Sequence, residues 1–252
     1  MTYEENPGVN KSTLWEMRKS PLHYWHLMHD TPKPDTPAMK FGRAVHKRIL
    51  EPVEFFAEYV VAPDCDRRTK EGKAIWADLM ESGKEIISSE DMEIIRQMEA
   101  ELSTIKYKFF GPDTQTEVPL YWVDSESGIY CKGRLDAISK DCIVDYKTTT
   151  DASTDAFTRE ALRYGYDLQA AMYLDAAEAN GYNPKSFVFL VQEKNAPYLV
   201  NAIKAGDAFI DRGRWIMRDL LAKYKECRDT DKWPGYGENE LILPEWAVMD
   251  YE

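Results

Sequence analysis

Two stretches of this sequence decide the fold, Gly-Arg-Leu-Asp at 133–136 and Ile-Val-Asp-Tyr-Lys at 143–147. Side chains alternate across a strand, so Asp145 and Lys147 must project from one face of any strand through the second stretch. A tight hairpin through the polar residues between the stretches would set Asp136 opposite Asp145. The two stretches therefore predict neighbouring antiparallel strands that carry two carboxylates and one ammonium on a shared face.

A preceding hairpin adds a third carboxylate to that face. Its turn, Ser-Glu-Ser-Gly at 125–128, sets Glu117 opposite Asp136. Carboxylates this close repel one another unless a cation offsets their charge, and Mg²⁺ prefers oxygen ligands. Lys147 is placed to hold an attacking water or to stabilise charge on a phosphate. Glu117, Asp136, Asp145 and Lys147 together predict the metal site of a nuclease, although Asp-x-Lys alone also fits ordinary solvated strand positions.

The opposite face of the same strands is apolar and predicts a core. A later run at 186–192 is apolar throughout, which is typical of a buried strand reached by a helical crossover. The core-facing positions of the three strands would be Val118, Leu120 and Trp122, then Ile129, Cys131, Gly133 and Leu135, then Cys142, Val144 and Tyr146.

The composition predicts a folded protein with a substantial core. Of 252 residues, 44% are hydrophobic and 30% are charged, and no apolar run is long enough to span a membrane. Because the N-terminus has no signal-peptide pattern, we expect a soluble, cytoplasmic protein without a membrane partner. The cysteines, at 65, 131, 142 and 227, lack CxxC spacing and fit neither a zinc motif nor a disulfide framework.

The net charge of −12 opposes a broad DNA-binding surface, because phosphate neutralisation needs Lys and Arg. Residues 1–75 are nearly balanced, with 12 Lys and Arg against 11 Asp and Glu, so a DNA path would favour this part of the chain. Arg43 on a predicted helix, and Arg67 and Arg68 in the densest basic cluster, are the candidate phosphate contacts. A solvated helix face would explain the basic residues around Arg43 equally well.

Helix signals flank the predicted sheet. A helix is predicted from 39 to 50 and carries Gly42 and His46 one turn apart. Close approach of the helix to the sheet at Gly42 would present His46 as a further metal ligand. The alternative is that His46 is packed or faces solvent, as a lone histidine more often does. Gln169 and Tyr173 share one face of a later helix, where they are either core residues or positioners of substrate or water. The other predicted helices start at Asn10 or Ser12 and at Ser20–Pro21 and cover 74–82, 89–108 with Ser89 as cap, 155–180 and 207–228, with further strands at 59–61 and 198–203.

Five motifs follow one another along the chain: Gly-Arg-Ala-Val-His at 42–46, Glu117, Gly-Arg-Leu-Asp at 133–136, Asp-Tyr-Lys at 145–147 and Gln-x-x-x-Tyr at 169–173. This ordered set resembles the PD-(D/E)xK nuclease superfamily in its RecB-like branch, and within it the RecE-type phage exonucleases. The resemblance implies an α/β fold with a restriction-endonuclease-like core, a central mixed β-sheet flanked by helices and a helical N-terminal region. It also implies one exonuclease domain over 1–252, comprising a mainly helical part at 1–110, the catalytic sheet and crossover helix at 115–205, and a C-terminal helix and tail at 206–252.

The resemblance also assigns a role to each motif residue. Four groups would bind the metal: His46, Asp136, Asp145 and the backbone carbonyl of Tyr146. Glu117 would be an auxiliary acidic ligand, and Lys147 would position the nucleophilic water. Gln169 and Tyr173 would support the substrate or Lys147.

The activity that the resemblance implies is a Mg²⁺-dependent exodeoxyribonuclease, with Mn²⁺ able to substitute. Such an enzyme digests double-stranded DNA ends from 5′ to 3′ and leaves 3′ single-stranded tails for homologous recombination by strand annealing. A single-strand annealing protein would be its partner, and it would assemble as a homo-oligomeric ring, usually a tetramer. The alternatives are a RecB-like endonuclease or flap nuclease, and a non-catalytic module that binds DNA ends or a partner.

Three departures from relatives qualify the resemblance. Leu135 replaces the proline that names the motif, as is common in the RecB-like branch. The long N-terminal extension of RecE proper is absent, which suggests a stand-alone, phage-type enzyme. The cysteine positions do not fit the iron–sulfur cluster that some relatives hold, so no such cluster is expected.

Overall fold

The structure of the protein is a computed structural model that describes residues 2–30 and 34–243. In the second half of the chain, three strands are followed by two helices, two further strands and one long helix. In chain order the elements are α1 (Lys11–Glu16), α2 (Pro21–His29), α3 (Pro37–Leu50), α4 (Phe55–Glu58), β1 (Tyr59–Val61), α5 (Lys70–Glu81), β2 (Glu85–Ile87), α6 (Ser89–Lys106), β3 (Gln115–Val123), β4 (Tyr130–Ile138), β5 (Cys142–Thr149), α7 (Thr154–Tyr164), α8 (Tyr166–Ala179), β6 (Ser186–Glu193), β7 (Val200–Lys204) and α9 (Asp207–Thr230).

A mixed sheet of five strands, in the order β3-β4-β5-β6-β7, forms the centre of the fold. Strands β5 and β6 run parallel, and all other neighbours in this sheet are antiparallel. The crossover between the two parallel strands is made by α7 and α8, because a parallel pair cannot be joined by a tight turn. The predicted α/β fold, with a central mixed sheet and flanking helices, is confirmed.

The register of the two hairpins is also confirmed. In the first hairpin, Val118 pairs with Leu135, so the numbers of each pair sum to 253 as the turn predicts. In the second, Ala137 pairs with Val144 in the predicted register, but the pairing of β4 with β5 covers only two residue pairs. The two strands therefore separate at Asp136, where the sequence placed the carboxylates.

Both faces of the sheet are buried, which corrects the prediction of a single core side. Leu120 and Leu135 belong to one hydrophobic cluster, whereas Val144 and Tyr146 belong to a second. The first cluster includes residues of α8 and α9, and the second includes residues of α3 and α6. A central strand beside a parallel neighbour is covered on both faces, so alternation along it separates two cores rather than core from solvent.

The crossover helix is broken, although the sequence predicts one helix over 155–180. Gly165 has a φ of +68° and ends α7 before α8 begins. A Cβ added to Gly165 would lie 2.6 Å from the ring of Trp15, so α1 packs directly against the break. Glycine is the residue that adopts this conformation without a steric penalty, and it leaves room for the indole.

Several smaller predictions differ from the structure. The helix α6 is capped by Ser88 rather than Ser89. The close approach predicted at Gly42 is wrong, because no heavy atom outside the helix lies within 4 Å of a Cβ added there. The short helix α4 and the strand β2 were not predicted; β2 pairs in parallel with β1. Asn10, one of the two predicted candidates, caps α1, and Ser20 caps α2 as predicted.

The division of residues 1–252 into one domain of three parts stays a prediction, and the end of its tail, 244–252, lies outside the described residues. Within the described part of the chain, no helix is long and apolar enough to cross a membrane. The four cysteines are free thiols; Cys131 and Cys227 are buried.

The contact between Gly165 and Trp15 gives a test of this packing. We expect Gly165→Ala to lower the free energy of unfolding by about 2–4 kcal/mol, from the left-handed backbone and from overlap with the indole. Gly181→Ala is the matched control, because Gly181 has a φ of +84° and no heavy atom within 4 Å of the added Cβ. It should lose only about 1–2 kcal/mol. Equal losses in urea unfolding would contradict the packing of Trp15 against the break.

Candidate metal centre

The site lies where β4 and β5 separate, and Asp136 bridges the gap. Its Oδ2 accepts a hydrogen bond of 2.7 Å from the backbone N–H of Tyr146. The same oxygen lies 3.0 Å from Nε2 of His46. Burial disfavours ionisation of Asp136, but His46 and Lys147 outweigh it and lower the pKa of this carboxyl. Asp136 is therefore an ionised carboxylate that faces a helix on one side and the next strand on the other.

The helix α3 supplies His46 to this carboxylate. Val45 and Ile49 are buried in the second cluster and fix the rotation of the helix, which turns His46 toward the sheet. Nε2 of His46 lies 3.2 Å from the carbonyl oxygen of Tyr146, and Nδ1 lies 3.5 Å from Oε1 of Glu117. Burial disfavours the imidazolium, yet the neighbouring carboxylates outweigh it and raise the pKa of His46 to about 10.

Glu117 is displaced from the strand ladder toward the same point. Its φ is +51°, and it is the one residue of β3 between Thr116 and Val118, both of which pair with β4. One ligand atom from each of Glu117, His46 and Asp136 lies within 4.8 Å of the others. Two carboxylate oxygens and an imidazole nitrogen at this spacing suit a divalent cation.

Asp145 stands beside this group and is held from the opposite side. Its Oδ1 accepts a hydrogen bond of 2.5 Å from the side-chain amide of Gln169 on α8. Nζ of Lys147 lies 2.5 Å from Oδ2, so the ammonium forms an ion pair with this buried oxygen. Burial raises the pKa of Asp145 to about 6. Gln169 and Lys147 thus each hold one oxygen of Asp145, beside the group formed by His46, Glu117 and Asp136.

Lys147 is enclosed by acidic and aromatic neighbours. Burial disfavours its charged form, but Asp145 and Asp136 outweigh it and raise the pKa of the ammonium. Its Nζ also lies 4.9 Å from the centre of the Tyr166 ring, a cation–π contact. Lys147 is therefore a permanent cation in the centre near neutral pH.

Lys11 is a member of this neighbourhood that the sequence did not indicate. Its Nζ donates a hydrogen bond of 2.6 Å to the carbonyl of Tyr164 and lies 5.3 Å from the centre of the Tyr166 ring. Burial, together with the charge of Lys147, lowers the pKa of Lys11 to about 8. No motif marks Lys11, since only the packing of α1 against the Gly165 break brings it to this site.

The structure places Tyr173 differently from Gln169. The Tyr173 ring packs on β4, where a Cβ added to Gly133 would lie 3.0 Å from it. Burial raises the pKa of Tyr173 well above its usual value. Gln169 thus contacts a proposed metal ligand, whereas Tyr173 fills the space left by a glycine. The functional roles of both residues stay predictions.

The three arginines predicted as DNA contacts have partners within the protein. Arg43 forms an ion pair of 2.9 Å with Asp35, and Arg68 forms one of 3.0 Å with Asp66. The Arg67 guanidinium stacks on Trp76, 3.4 Å from the ring centre. Arg43 nevertheless lines an open cavity of about 330 Å³ that also contains His46, Glu117 and Arg134. Contact of these arginines with DNA stays a prediction.

Comparison with known families agrees with this arrangement. Residues 11–242 match the family described as a PDDEXK-like domain of unknown function. The chain belongs to this family. The PDDEXK-like assignment agrees with the mixed sheet flanked by helices and with the Asp145-x-Lys147 motif at the centre of the site. The restriction-endonuclease-like core predicted from the sequence is thereby supported by both family and structure.

Solved structures were compared with this PDDEXK-like chain as well. A candidate exonuclease from Eubacterium rectale has the same fold; it is 17% identical, with a TM-score of 0.58, and the match covers 99% of this chain and 95% of the other. A phage-related exonuclease from Haemophilus somnus 129PT is 12% identical, with a TM-score of 0.37, covering 89% of this chain and 96% of the other. No curated protein sequence matches this chain.

The raised pKa of His46 predicts a pH-dependent stability of the metal-free PDDEXK-like domain. Since the folded value of about 10 exceeds the usual 6.5, protonated His46 stabilises the fold fully below pH 6.5. This contribution is lost as the pH rises toward 10. In EDTA, His46→Gln should therefore lower the free energy of unfolding most near about pH 6, and the decrease should become smaller at higher pH. Urea titrations of both proteins measure it; a difference that grows with pH would contradict the ion pairs of His46 with Asp136 and Glu117.

Proposed function

We propose that this PDDEXK-like protein is a divalent-metal-dependent nuclease that digests double-stranded DNA ends from 5′ to 3′ and leaves 3′ single-stranded tails. The observation that carries the proposal is the convergence of His46, Glu117 and Asp136 within 4.8 Å beside Asp145 and Lys147. A metal-binding group next to a fixed ammonium is suited to phosphodiester hydrolysis, in which charge develops on phosphate oxygens.

The metal would be held by His46, Asp136, Asp145 and the Tyr146 carbonyl, with Glu117 as an auxiliary ligand. The clustering of ligand atoms from His46, Glu117 and Asp136, and the Tyr146 carbonyl 3.2 Å from His46, support this set. When bound, Mg²⁺, or Mn²⁺ in its place, acts as a Lewis acid and lowers the pKa of a coordinated water.

Lys147 acts as a donor rather than as a base in this proposal. Its raised pKa keeps the ammonium charged, so it cannot accept a proton from water near neutral pH. It can instead orient the attacking water by a hydrogen bond or stabilise a non-bridging phosphate oxygen. The ion pair with Asp145 and the ring of Tyr166 hold the ammonium in place for either task.

Gln169 positions Asp145 through the amide hydrogen bond to Oδ1. That bond fixes the orientation of the carboxylate, whose Oδ2 pairs with Lys147. Hydrogen-bond partners of metal ligands orient those ligands, and their removal commonly weakens metal binding. We therefore assign Gln169 as a positioning residue that acts through Asp145.

The finer parts of the proposal rest on the resemblance to RecE-type phage exonucleases. These parts are the 5′ to 3′ polarity, a ring-shaped homo-oligomer and a single-strand annealing partner. The Eubacterium rectale protein of the same fold, named as a candidate exonuclease, agrees with the nuclease class. A ring would also answer the charge objection, because an acidic exterior can enclose a locally basic channel.

Digestion of a linear duplex tests the proposal. With Mg²⁺, a label on the 5′ end should be released before a label on the 3′ end, and EDTA should abolish release. Asp145→Asn should lower the cleavage rate by about 10³-fold or more, because it weakens metal binding and removes the ion pair with Lys147. Asp141→Asn, an exposed change just before β5 and away from the centre, is the matched control and should keep full activity.

The same assay separates the alternatives. Cleavage of closed circular DNA would favour the RecB-like endonuclease hypothesis. Early release of the 3′ label would contradict the proposed polarity. DNA binding without any cleavage would favour the non-catalytic module.

A second variant tests the positioning role of Gln169. Gln169→Met keeps the volume but removes the donor to Asp145, and we expect about 10–100-fold weaker metal binding. Gln97→Met on α6 is the control, since the Gln97 side chain bonds with Glu93 on its own helix. Calorimetric titration with Mn²⁺ measures the affinity without reference to activity. Unchanged affinity in Gln169→Met would remove this residue from the centre.

A further inference from the structure

A basic cleft opens at the end of β5, next to the metal centre. It has a volume of about 370 Å³ and is lined by Thr148, Thr149, Thr150, Arg159, Glu160, Arg163, Tyr164 and Lys194. None of its charged residues belongs to a motif of the sequence. Its three cationic side chains come from two parts of the chain, α7 and the end of β6, so the fold brings them together.

The cations of the cleft are not committed to carboxylates within the described residues. Arg159 and Arg163 lie one turn apart on the same face of α7 and are exposed. Lys194 follows β6, and its backbone N–H donates to the Thr149 carbonyl at 2.9 Å, which fixes it beside the end of β5. None of the three forms an ion pair with a carboxylate among residues 2–30 and 34–243, although the protein carries a net charge of −12.

The one acidic side chain in the lining is engaged elsewhere. Oε2 of Glu160 accepts a hydrogen bond of 2.9 Å from Oγ1 of Thr149, which is buried beneath the cleft. The carboxylate therefore closes the inner wall instead of pairing with an arginine. The remaining charge of the cleft is positive.

The cleft lies close to Lys147 of the metal centre. Thr149 lies two residues beyond Lys147 on the same face of β5, a separation of about 7 Å along a strand. On the other side, Tyr164 precedes the Gly165 break and Tyr166, whose ring contacts Lys147. A phosphate bound in the cleft would therefore lie near one bound at the centre.

We propose that this cleft binds a phosphate of the substrate DNA strand adjacent to the scissile bond, through Arg159, Arg163 and Lys194. Guanidinium groups match phosphate oxygens with paired donors, and three uncommitted cations would neutralise its charge. The proposal rests on the proposed nuclease function and adds the crossover to the expected DNA path, which the sequence placed at Arg43, Arg67 and Arg68. The phosphate is either internal to the strand or the terminal phosphate of a 5′ end.

DNA affinity measured by fluorescence anisotropy tests the cleft. The probe is a labelled duplex in Ca²⁺, prepared with a 5′-phosphate or a 5′-hydroxyl. The double variant Arg159→Gln/Arg163→Gln should bind about tenfold more weakly, and the slope of log Kd against log salt should fall by about one for each phosphate that is no longer neutralised. Lys140→Gln/Lys225→Gln carries the same charge change on exposed residues away from the cleft and should bind as the wild type does.

A second double variant, Arg159→Lys/Arg163→Lys, keeps the charge and should recover part of the affinity, which separates phosphate binding from misfolding. Equal losses with both duplexes identify an internal phosphate, and a loss confined to the 5′-phosphate duplex identifies the terminal one. Suppose that the wild type binds and cleaves DNA, but the Gln variant binds equally well or the control loses as much affinity. This outcome would refute phosphate binding by the cleft and leave the proposed nuclease function standing. A wild type that neither binds nor cleaves DNA refutes the proposed function and the cleft together.

Discussion

The limited pairing of β4 with β5 is the constraint on which the site depends. Among the described residues the strands share two pairs and then diverge, which leaves the backbone N–H of Tyr146 without a strand partner. An unpaired buried amide is costly, and the Asp136 carboxylate satisfies it. This single contact ties β4 to β5 where the ladder ends and leaves the Tyr146 carbonyl facing His46.

The charges of the centre are balanced from several directions. Glu117, Asp136 and Asp145 bring three carboxyl groups to a poorly solvated point, and His46 and Lys147 bring two groups that can carry positive charge. Without a metal ion, the carboxylates hold the proton on His46, which is why its pKa is raised. A metal ion would compete with that proton for the same ligands, so proton and metal binding are linked.

Much of the fold and part of the site could be predicted from the sequence, because strand geometry is rigid. Side-chain alternation and hairpin turns set the register of Glu117 and Asp136 without tertiary information. The caps Asn10 and Ser20 were equally local signals. The break at Gly165 was missed because a glycine within a helical pattern is usually tolerated, and only the Trp15 ring makes it a boundary. Arg43 forms an ion pair with Asp35, whereas Arg159 forms none among the described residues. This difference depends on which carboxylates lie nearby in space, and charge counts along the sequence do not give those positions.

The packing of α1 at the Gly165 break has a consequence for how the protein acquires a centre. Val9, just before α1, bridges to Cys131 on β4, and Trp15 on α1 contacts Gly165, so the start of the chain contacts both the sheet and the crossover. The metal centre thus combines elements that are far apart in sequence, and a fold rich in such long-range contacts forms slowly. A nascent or partly unfolded chain lacks the centre altogether. Any hydrolysis at this centre therefore requires the folded chain.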